Sequence, residues 1–333
     1  MGGLHVMLSI LGFSMALPFL WMVMTSLKTA DEVGSDDLLP SVWQWRNYRD
    51  VTDDSTAVAL QGSVESIDAS ANRLTVLDAD TDLPTTVDVT GPTRILADGT
   101  PTSLQQLTPG TRVGVYRDAG EGIPFLRYYW NSIFVASWVT FLQVITSSMA
   151  AFSFARLRWP GRDRVFLMYL ATMMLPGLVM MIPNYQIMIR LGLVDTLMGL
   201  IIPAAFSTYG TFLMRQFMLT IPTSLDEAAE IDGAGKLRLF LDIILPLSRP
   251  GLITLTIFTF MGNYHSFFWP LVMLKNQAKY TLPIGMMYFE SSRGSSTHLL
   301  MAAVTMSVVP LVLLFIVLQR YLVRGIQIGA VKG

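Results

Sequence analysis

Cysteine is absent from this sequence of 333 residues, and charged side chains are scarce, since Asp, Glu, Lys and Arg together make up only 14%. Without cysteine the chain has no disulfide, no thiolate nucleophile and no Cys-ligated metal site. The net charge of −1 is not the basic excess that a nucleic-acid-binding surface needs. With 52% hydrophobic residues and a mean hydropathy of +0.49, the composition is typical of a membrane protein and not of a water-soluble domain.

Catalytic motifs are missing as well. The chain has three histidines and no His-Glu-x-x-His or Gly-x-Ser-x-Gly sequence, so it has neither a metalloprotease motif nor a serine nucleophile elbow. Gly235-Lys236 is superficially similar to the end of a phosphate loop, but Glu230 occupies the place of the first glycine and Leu237 replaces the Ser or Thr. We therefore expect no enzymatic activity, no ATP binding by that motif, and no metal or cofactor in this chain.

Six apolar stretches are long enough to cross a bilayer, which requires about 20 mostly apolar residues. They occupy residues 4–27, 128–154, 165–189, 196–214, 250–274 and 299–319. The first stretch has the position of a secretory signal peptide. However, it lacks a basic n-region and a clear small-x-small cleavage site, and it continues into polar residues. We predict that it is a retained helix, the first of six transmembrane helices.

The orientation is predicted from basic residues in short connections, because Lys and Arg resist translocation. The connection between the second and third stretches carries four arginines, Arg156, Arg158, Arg162 and Arg164. The connection before the fifth stretch and the C-terminal segment are also basic. We predict that these segments and both termini are cytoplasmic, which places residues 28–127 outside.

The long connection after the first stretch is predicted to be a folded insert. Short β-branched runs at 57–67, 74–77, 85–89, 93–96 and 112–116 are separated by turn signals such as Asp98-Gly99 and Pro109-Gly110. Between positions 50 and 121 there are twelve acidic residues and only four basic ones, and this acidic excess is compatible with an exported domain. The fold class is thus an all-α polytopic membrane protein with six transmembrane helices and a small all-β insert, barrel-like and of the OB type.

These patterns divide the chain into three parts. Residues 1–50 contain the first transmembrane helix and the start of the outer loop. Residues 51–123 are the extracytoplasmic β-rich insert. Residues 124–333 form a five-helix membrane core that includes a cytoplasmic connection at 221–246.

That connection is predicted to contain two short helices. Ser224 followed by Glu227 forms the pattern of a capping box, and Gly233 is suited to the left-handed conformation that ends a helix. A second helix is predicted from about residue 236 to 244, stopped by Leu245-Pro246. Since Ala228 and Ala229 have almost no side-chain bulk, another protein can approach the first helix closely.

Particular residues here resemble a known family. Glu227-Ala228-Ala229, Asp232-Gly233-Ala234, Ile243 and Leu245-Pro246 look like the EAA loop of ABC-importer permeases. The resemblance covers nearly all of the chain except the insert, and it is closest to the carbohydrate-importer branch of the maltose-permease type. Several further stretches agree with that branch, among them Asn47-Tyr48, residues 152–162, Leu191–Thr196 and the tail at 329–333.

The resemblance implies that this chain is a permease subunit of an ATP-driven sugar importer in the bacterial cytoplasmic membrane. Residues 221–246 are then the coupling loop, which seats on a separate ATPase subunit. The implied partners are a second homologous permease subunit, two ATPase subunits that bind ATP and Mg, and an extracytoplasmic solute-binding protein. The implied coupling residues are Glu227, Ala228, Ala229, Asp232, Gly233, Ala234, Leu245 and Pro246.

The fifth stretch departs from the family pattern. Relatives often read Trp-Asn-Asp-Phe-Leu-Trp-Pro where this chain has Ser266 in the acidic position, so a hydrogen-bond partner for substrate hydroxyls is missing. Asn184, Asn263, Tyr264 and His265 are weak candidates for lining the substrate pathway. The alternative is that they bridge neighbouring helices.

An ion-gradient-driven secondary carrier is the alternative function, because such a carrier is also polytopic and binds its substrate near the middle of the membrane. Carriers of that kind usually bury ionisable groups inside the membrane. Here the only carboxylate near an apolar stretch is Asp195, at its edge. The sequence therefore favours an energy source outside the chain.

Overall fold

The computed structural model describes residues 2–29, 32–34, 37–52, 57–78, 84–89, 93–97, 100–117, 124–293 and 297–330. The chain divides into two compact units. One consists of Met1–Arg127 and Gly285–Val308, and the other of Tyr128–Ile284 and Val309–Gly333.

The first unit begins with an apolar helix and contains the insert. Helix α1 spans Gly2–Ser26, and a short helix α2 follows at Arg46–Thr52. The insert forms one antiparallel sheet in the order β3-β2-β1-β6-β4-β5. Its strands are β1 Ala57–Asp68, β2 Arg73–Asp78, β3 Pro84–Asp88, β4 Thr93–Ala97, β5 Thr100–Thr102 and β6 Arg112–Arg117.

The core of the insert lies on one face of this sheet. Alternate residues of the strands meet there, as expected for a sheet with one buried face: Val64, Leu74, Val76, Ile95, Val113 and Val115. Leu107, from the connection between β5 and β6, joins them. Gly62 lies in the middle of β1, where a Cβ atom would be only 1.9 Å from the carbonyl oxygen of Leu77. A side chain at position 62 would therefore push β1 and β2 apart.

The sequence located five of these strands and missed β5, a three-residue strand that contains a proline. The predicted OB-type barrel is not confirmed, since β3 and β5 each pair on one side only among the described residues. The sheet is an antiparallel half-barrel. Bulges in β1, between Val64 and Ser66 and between Ala57 and Ala59, supply curvature of the kind that bulges give to a sheet.

The second unit is helical. Its first helix, α3, spans Phe125–Arg156 and starts in the first unit. The helices that follow are α4 Arg162–Ala171, α5 Gly177–Arg190, α6 Met198–Ala204, α7 Thr208–Leu219, α8 Ser224–Ile231, α9 Lys236–Arg238, α10 Leu245–Leu247, α11 Arg249–Tyr264 and α12 Phe268–Met273. Helices α13 Leu282–Arg293 and α14 Thr297–Ala330 follow, of which the part within Gly285–Val308 belongs to the first unit.

Three of the described helices are long and apolar enough to cross a membrane, at Leu4–Ser26, Phe125–Arg156 and Thr297–Arg320. Two bent pairs raise the number to five if each pair is one span. These are Arg162–Met174 with Gly177–Arg190, bent by 99°, and Lys236–Leu247 with Arg249–Tyr264, bent by 75°. The predicted count of six is therefore not confirmed.

The remaining predicted stretches are interrupted helices. The stretch at 165–189 breaks before Pro176, 196–214 breaks between α6 and α7, and 250–274 breaks between α11 and α12. Proline lacks an N–H group and disfavours helical geometry in the residue before it, which accounts for the break at Pro176. Hydropathy measures how apolar a stretch is, so it does not reveal where the helix within that stretch is broken.

Side chains of α3 satisfy backbone carbonyls at these interruptions. Gln143 donates to the carbonyl of Ala204 at 2.6 Å, and Thr146 donates to that of Ala205 at 2.8 Å, both at the end of α6. Near the start of α3, Asn131 donates to the carbonyl of Ala278 at 3.1 Å. In a membrane every backbone polar group needs such a partner, so α3 supplies the partners for the carbonyls at the end of α6 and at Ala278.

Candidate coupling site

Helix α8 begins one residue before the position that the sequence predicted. Ser224 is its first helical residue, and Thr223 precedes it in a helical conformation without a side-chain cap. The capping box of Ser224 and Glu227 is therefore wrong. Instead, the first N–H groups of the helix donate to the carbonyls of Pro222 and Thr223. These backbone carbonyls accept the first bonds of the helix, and Ser224 belongs to its first turn.

The end of α8 confirms the expectation for Gly233, whose φ is +78°. The N–H of Gly233 donates to the carbonyl of Glu230 at 3.0 Å, and the N–H of Ala234 donates to that of Ala229 at 2.8 Å. This pair of bonds is a Schellman motif, which requires a left-handed residue and favours glycine. The turn is closed by Lys236, whose ammonium donates to the Glu230 carboxylate and lowers the pKa of that group.

A buried arginine attaches α8 to the membrane helices. Arg156 is the last residue of α3, and its side chain is only 3% exposed. Its guanidinium donates to the Asp226 carboxylate at 3.2 Å and to the backbone carbonyls of Met218 and Ile221 at 2.5 and 2.7 Å. One guanidinium therefore joins α3, the end of α7 and the first turn of α8.

From the sequence, Arg156 was interpreted only as one of four arginines that predict the orientation of the chain in the membrane. Its partner Asp226 is 70 positions away in the chain, and no local pattern connects the two. This ion pair was therefore not predicted from the sequence.

Ala229 provides the second attachment of α8. It is buried in an apolar cluster with residues of α3, α7, α11 and the turn after α9: Ala151, Phe152, Met214, Met218, Leu239, Phe240, Ile244 and Leu255. The rings of Phe152 and Phe240 are 5.0 Å apart in this cluster. The small side chain of Ala229 thus lets the helix backbone lie close to the core.

The opposite side of α8 is exposed. Glu227 and Ile231 are four residues apart and share one face of the helix, and both are exposed together with Ala228 and Asp232. Ile231 is 86% exposed, and Leu237, just beyond the turn, is 71% exposed. The exposed side of α8 and the residues just beyond it thus include two large apolar side chains.

The segment after the turn does not stop at Leu245-Pro246 as predicted. Helix α9 passes into a π-helical turn at Leu239–Ile244 and then into α10. The break comes at Ser248, whose hydroxyl donates to the Ile244 carbonyl at 2.8 Å. The π-helical turn ends two residues before Pro246, which has no N–H group to donate to the preceding turn of the helix. Pro246 is exposed and Leu245 half-buried.

The weak pathway candidates fall into two places. Asn263, Tyr264 and His265 lie together at the end of α11, where the helix breaks. Asn263 donates to the Thr259 carbonyl of its own helix at 2.8 Å, and the ring of Tyr264 stacks on Phe260 at 5.7 Å. Asn184 lies on α5 with an exposed side chain.

Comparison with known proteins identifies the family. Residues 143–328, more than half of the chain, match the family described as binding-protein-dependent transport system inner membrane component. The chain belongs to this family. The matched region of the permease contains α8, Gly233 and Pro246 but not the insert, which lies before it.

Two relatives illustrate the similarity of the permease. It is 34% identical over 227 residues to the arabinooligosaccharides transport system permease protein AraQ of Halalkalibacterium halodurans, which covers 68% of this chain and 80% of the relative. It is 36% identical over 207 residues to the sn-glycerol-3-phosphate transport system permease protein UgpE of Brucella abortus, with coverage of 62% and 73%.

A solved structure has the same fold. It belongs to a bacterial ABC transporter involved in the import of the acidic polysaccharide alginate, and it matches with a TM-score of 0.66 at 20% identity over 95% of this chain and 94% of that one. The permease is thus a membrane subunit of an ABC importer, and permeases of this family are not enzymes themselves. The comparisons give no support to the secondary carrier.

Proposed function

We propose that this permease forms one half of a pore through which an ATP-driven importer brings a sugar or sugar-like solute into the cell. The position of α8 carries the proposal. Arg156 and Ala229 hold one side of this helix against the membrane helices, whereas Glu227 and Ile231 on the other side are exposed. A helix attached on one side and open on the other can transmit the movement of a docked partner to the membrane helices.

The proposed partner on the cytoplasmic side is an ATPase subunit. Its groove would contact the face formed by Glu227, Ala228 and Ile231 and the turn that contains Asp232, Gly233 and Ala234. Ala228 lets the groove approach the backbone, and Leu245 and Pro246 in α10 connect this face to α11. The ATPase carries out ATP hydrolysis and binds ATP and Mg, and the permease itself needs no cofactor.

The proposed complex contains two ATPase subunits, a second homologous permease and an extracytoplasmic solute-binding protein. Within the bacterial cytoplasmic membrane, both termini and the coupling loop at 221–246 are cytoplasmic and residues 28–127 are outside. Six crossings follow if α6 with α7, and α11 with α12, cross as interrupted spans. The parts of the chain are then 1–50, the insert 51–123 and the membrane core 124–333.

The proposed substrate is a polyhydroxylated solute. Two relatives are named for the transport of arabinooligosaccharides and of sn-glycerol-3-phosphate. The break at the end of α11 supports a pathway there, since irregular backbone at membrane depth is tolerated where it is buried in protein or lines a cavity. Asn263, Tyr264 and His265 lie at this break, and Asn184 is a further candidate.

The test is reconstitution. The permease is co-purified with its partners, and the solute on the binding protein is identified by mass spectrometry. The radiolabelled solute is then offered to proteoliposomes, and we expect uptake that requires ATP on the ATPase side. Vesicles with the permease alone are expected to transport nothing. Accumulation by the permease alone on a proton or sodium gradient would reject the proposal in favour of a secondary carrier.

A further inference from the structure

The loop after α1 folds back onto the end of that helix. The N–H of Gln44 donates to the Leu27 carbonyl at 2.9 Å. The amide of Asn47 donates to the carbonyls of Ser26 and Lys28, each at 2.9 Å, and the hydroxyls of Ser26 and Tyr48 are 2.7 Å apart. The helix end is buried by these contacts, so the loop is held at a fixed position along the axis of α1.

The surface of this loop is apolar. Residues 38–45, named here the tryptophan loop, contain no charged residue. Five of its large side chains are exposed: Leu38, Leu39, Val42, Trp43 and Trp45. The rings of Trp43 and Trp45 stack with centroids 6.5 Å apart, and Trp45 remains 67% exposed. Large apolar side chains exposed close together in the chain mark a site of contact with a membrane or another protein.

The length of α1 places the tryptophan loop at a particular depth. Leu4–Ser26 is an apolar helix of 23 residues, and its most apolar part is not buried. At 1.5 Å per residue it is roughly 34 Å long, which matches the hydrocarbon thickness of about 30 Å. The end of α1, and the loop tied to it, therefore lie where hydrocarbon meets headgroups.

The composition of the loop suits that depth. Tryptophan is enriched at membrane–water interfaces because its ring is apolar and its N–H group is polar. Directly after the loop, Arg46 and Arg49 are exposed, and the Arg46 guanidinium lies 3.6 Å from the Asp50 carboxylate, so polar and charged groups follow the apolar loop.

We infer that the tryptophan loop lies in the headgroup region of the bilayer and binds the lipid surface. Trp43 and Trp45 are its anchors, and the bonds of Gln44 and Asn47 transmit their position to α1. The loop thus fixes the depth of α1 and the point at which the chain leaves the membrane towards the insert. This role is independent of the transported solute.

The absence of cysteine allows a direct test by spin labelling. Val42→Cys is labelled in the permease assembled with its partners in vesicles of phosphatidylethanolamine and phosphatidylglycerol. Collision rates with oxygen, which enters lipid, and with a water-soluble nickel chelate are measured. Phe13→Cys, in the middle of α1, is the lipid reference, and Ala71→Cys, exposed in the insert, is the water reference.

We expect the ratio of oxygen to nickel collisions at position 42 to lie between the two references and clearly above that at position 71. A ratio equal to that at position 71 would place the loop in water and overturn the inference. Low rates for both reagents would mean that a protein covers the loop, and would overturn it as well. Leu39→Cys provides a second label whose results must agree, in case the change at position 42 disturbs the loop.

Discussion

The guanidinium of Arg156 lies 3.2 Å from the carboxylate of Asp226, and this ion pair joins the end of α3 to the first turn of α8. Both groups are largely buried, and the Arg156 Nε and one oxygen of Asp226 have no hydrogen-bond partner within the described residues. The pair is therefore sensitive to the loss of either member, because the group that remains is a buried, unpaired charge.

Arg156→Met is predicted to detach α8 from α3. Breaking a buried ion pair costs about 3–5 kcal/mol, so we expect a lower thermal midpoint of the purified permease and a loss of ATP-driven uptake. Arg164→Met is the matched control, since Arg164 is exposed. Equal uptake by both variants would show that the ion pair has no part in coupling. Arg156→Met combined with Asp226→Leu should recover stability relative to Arg156→Met.

Gly233→Val is predicted to distort the turn after α8. A β-branched residue at a φ of +78° costs on the order of 1–2 kcal/mol and disrupts the Schellman motif. Gly235→Val is a close control, because Gly235 has a φ of −71° and open space around its Cβ position. We expect uptake to fall for position 233 only, with equal amounts of both variants in the membrane. A fall of the same size at position 235 would contradict the argument.

Ala229→Leu and Ala228→Leu are predicted to separate packing from docking. Overpacking the buried Ala229 is expected to cost about 1–3 kcal/mol and to lower the thermal midpoint. Ala228 is exposed, so its replacement should leave the midpoint unchanged and weaken binding of the ATPase subunit in a pull-down. If Ala228→Leu binds the ATPase normally, the proposed docking face is wrong.

The negative charge of Asp195 is predicted to stabilise the folded permease, and this stabilisation is expected to be lost in acid. It lies in the connection between α5 and α6, with a φ of +59°. Its carboxylate accepts from the backbone N–H groups of Asn276 and Lys275 and from the Lys279 ammonium, and these bonds lower its pKa to about 2. Because this pKa is below the ordinary aspartate pKa of 3.8, the stabilisation is complete above about pH 4 and is lost as the pH falls towards 2.

The control for Asp195 is Asp195→Asn, which tolerates the left-handed conformation and removes the charge. Thermal unfolding of both proteins is followed in detergent between pH 7 and pH 2. We expect wild type to be more stable at neutral pH and the difference to shrink with acid. A difference that does not change with pH would mean that the charge of Asp195 is not responsible.

Two cysteine variants test the orientation. Ala71→Cys is predicted to react with a membrane-impermeant maleimide in cells whose outer layers admit it, because the insert is proposed to be outside. Gly235→Cys should react only after the membrane is opened. Each variant has a single thiol, since the natural sequence has none. The reverse labelling pattern would overturn the cytoplasmic position of α8.

Much of this architecture could be predicted from local patterns. Uninterrupted apolar runs located α1, α3 and α14, and Gly233 marked the end of α8. The interruptions escaped prediction because apolar residues continue through them, as at Pro176. Contacts between distant parts of the chain escaped for a different reason. Gln143 reaches Ala204 across 61 positions, and such a pairing depends on tertiary packing that no local period encodes.

The hydrogen bonds of α3 restrict how this subunit can move. Asn131 and Ser132 near one end, and Gln143 and Thr146 further along, together hold five backbone groups of other segments, two of them on Asn131. Sliding α3 along its axis by one turn would strip all five groups of their partners at once, in a medium without water to replace them. During a transport cycle α3 must therefore travel together with the segments it holds. We expect the backbone to bend in those connections that are not hydrogen-bonded to α3.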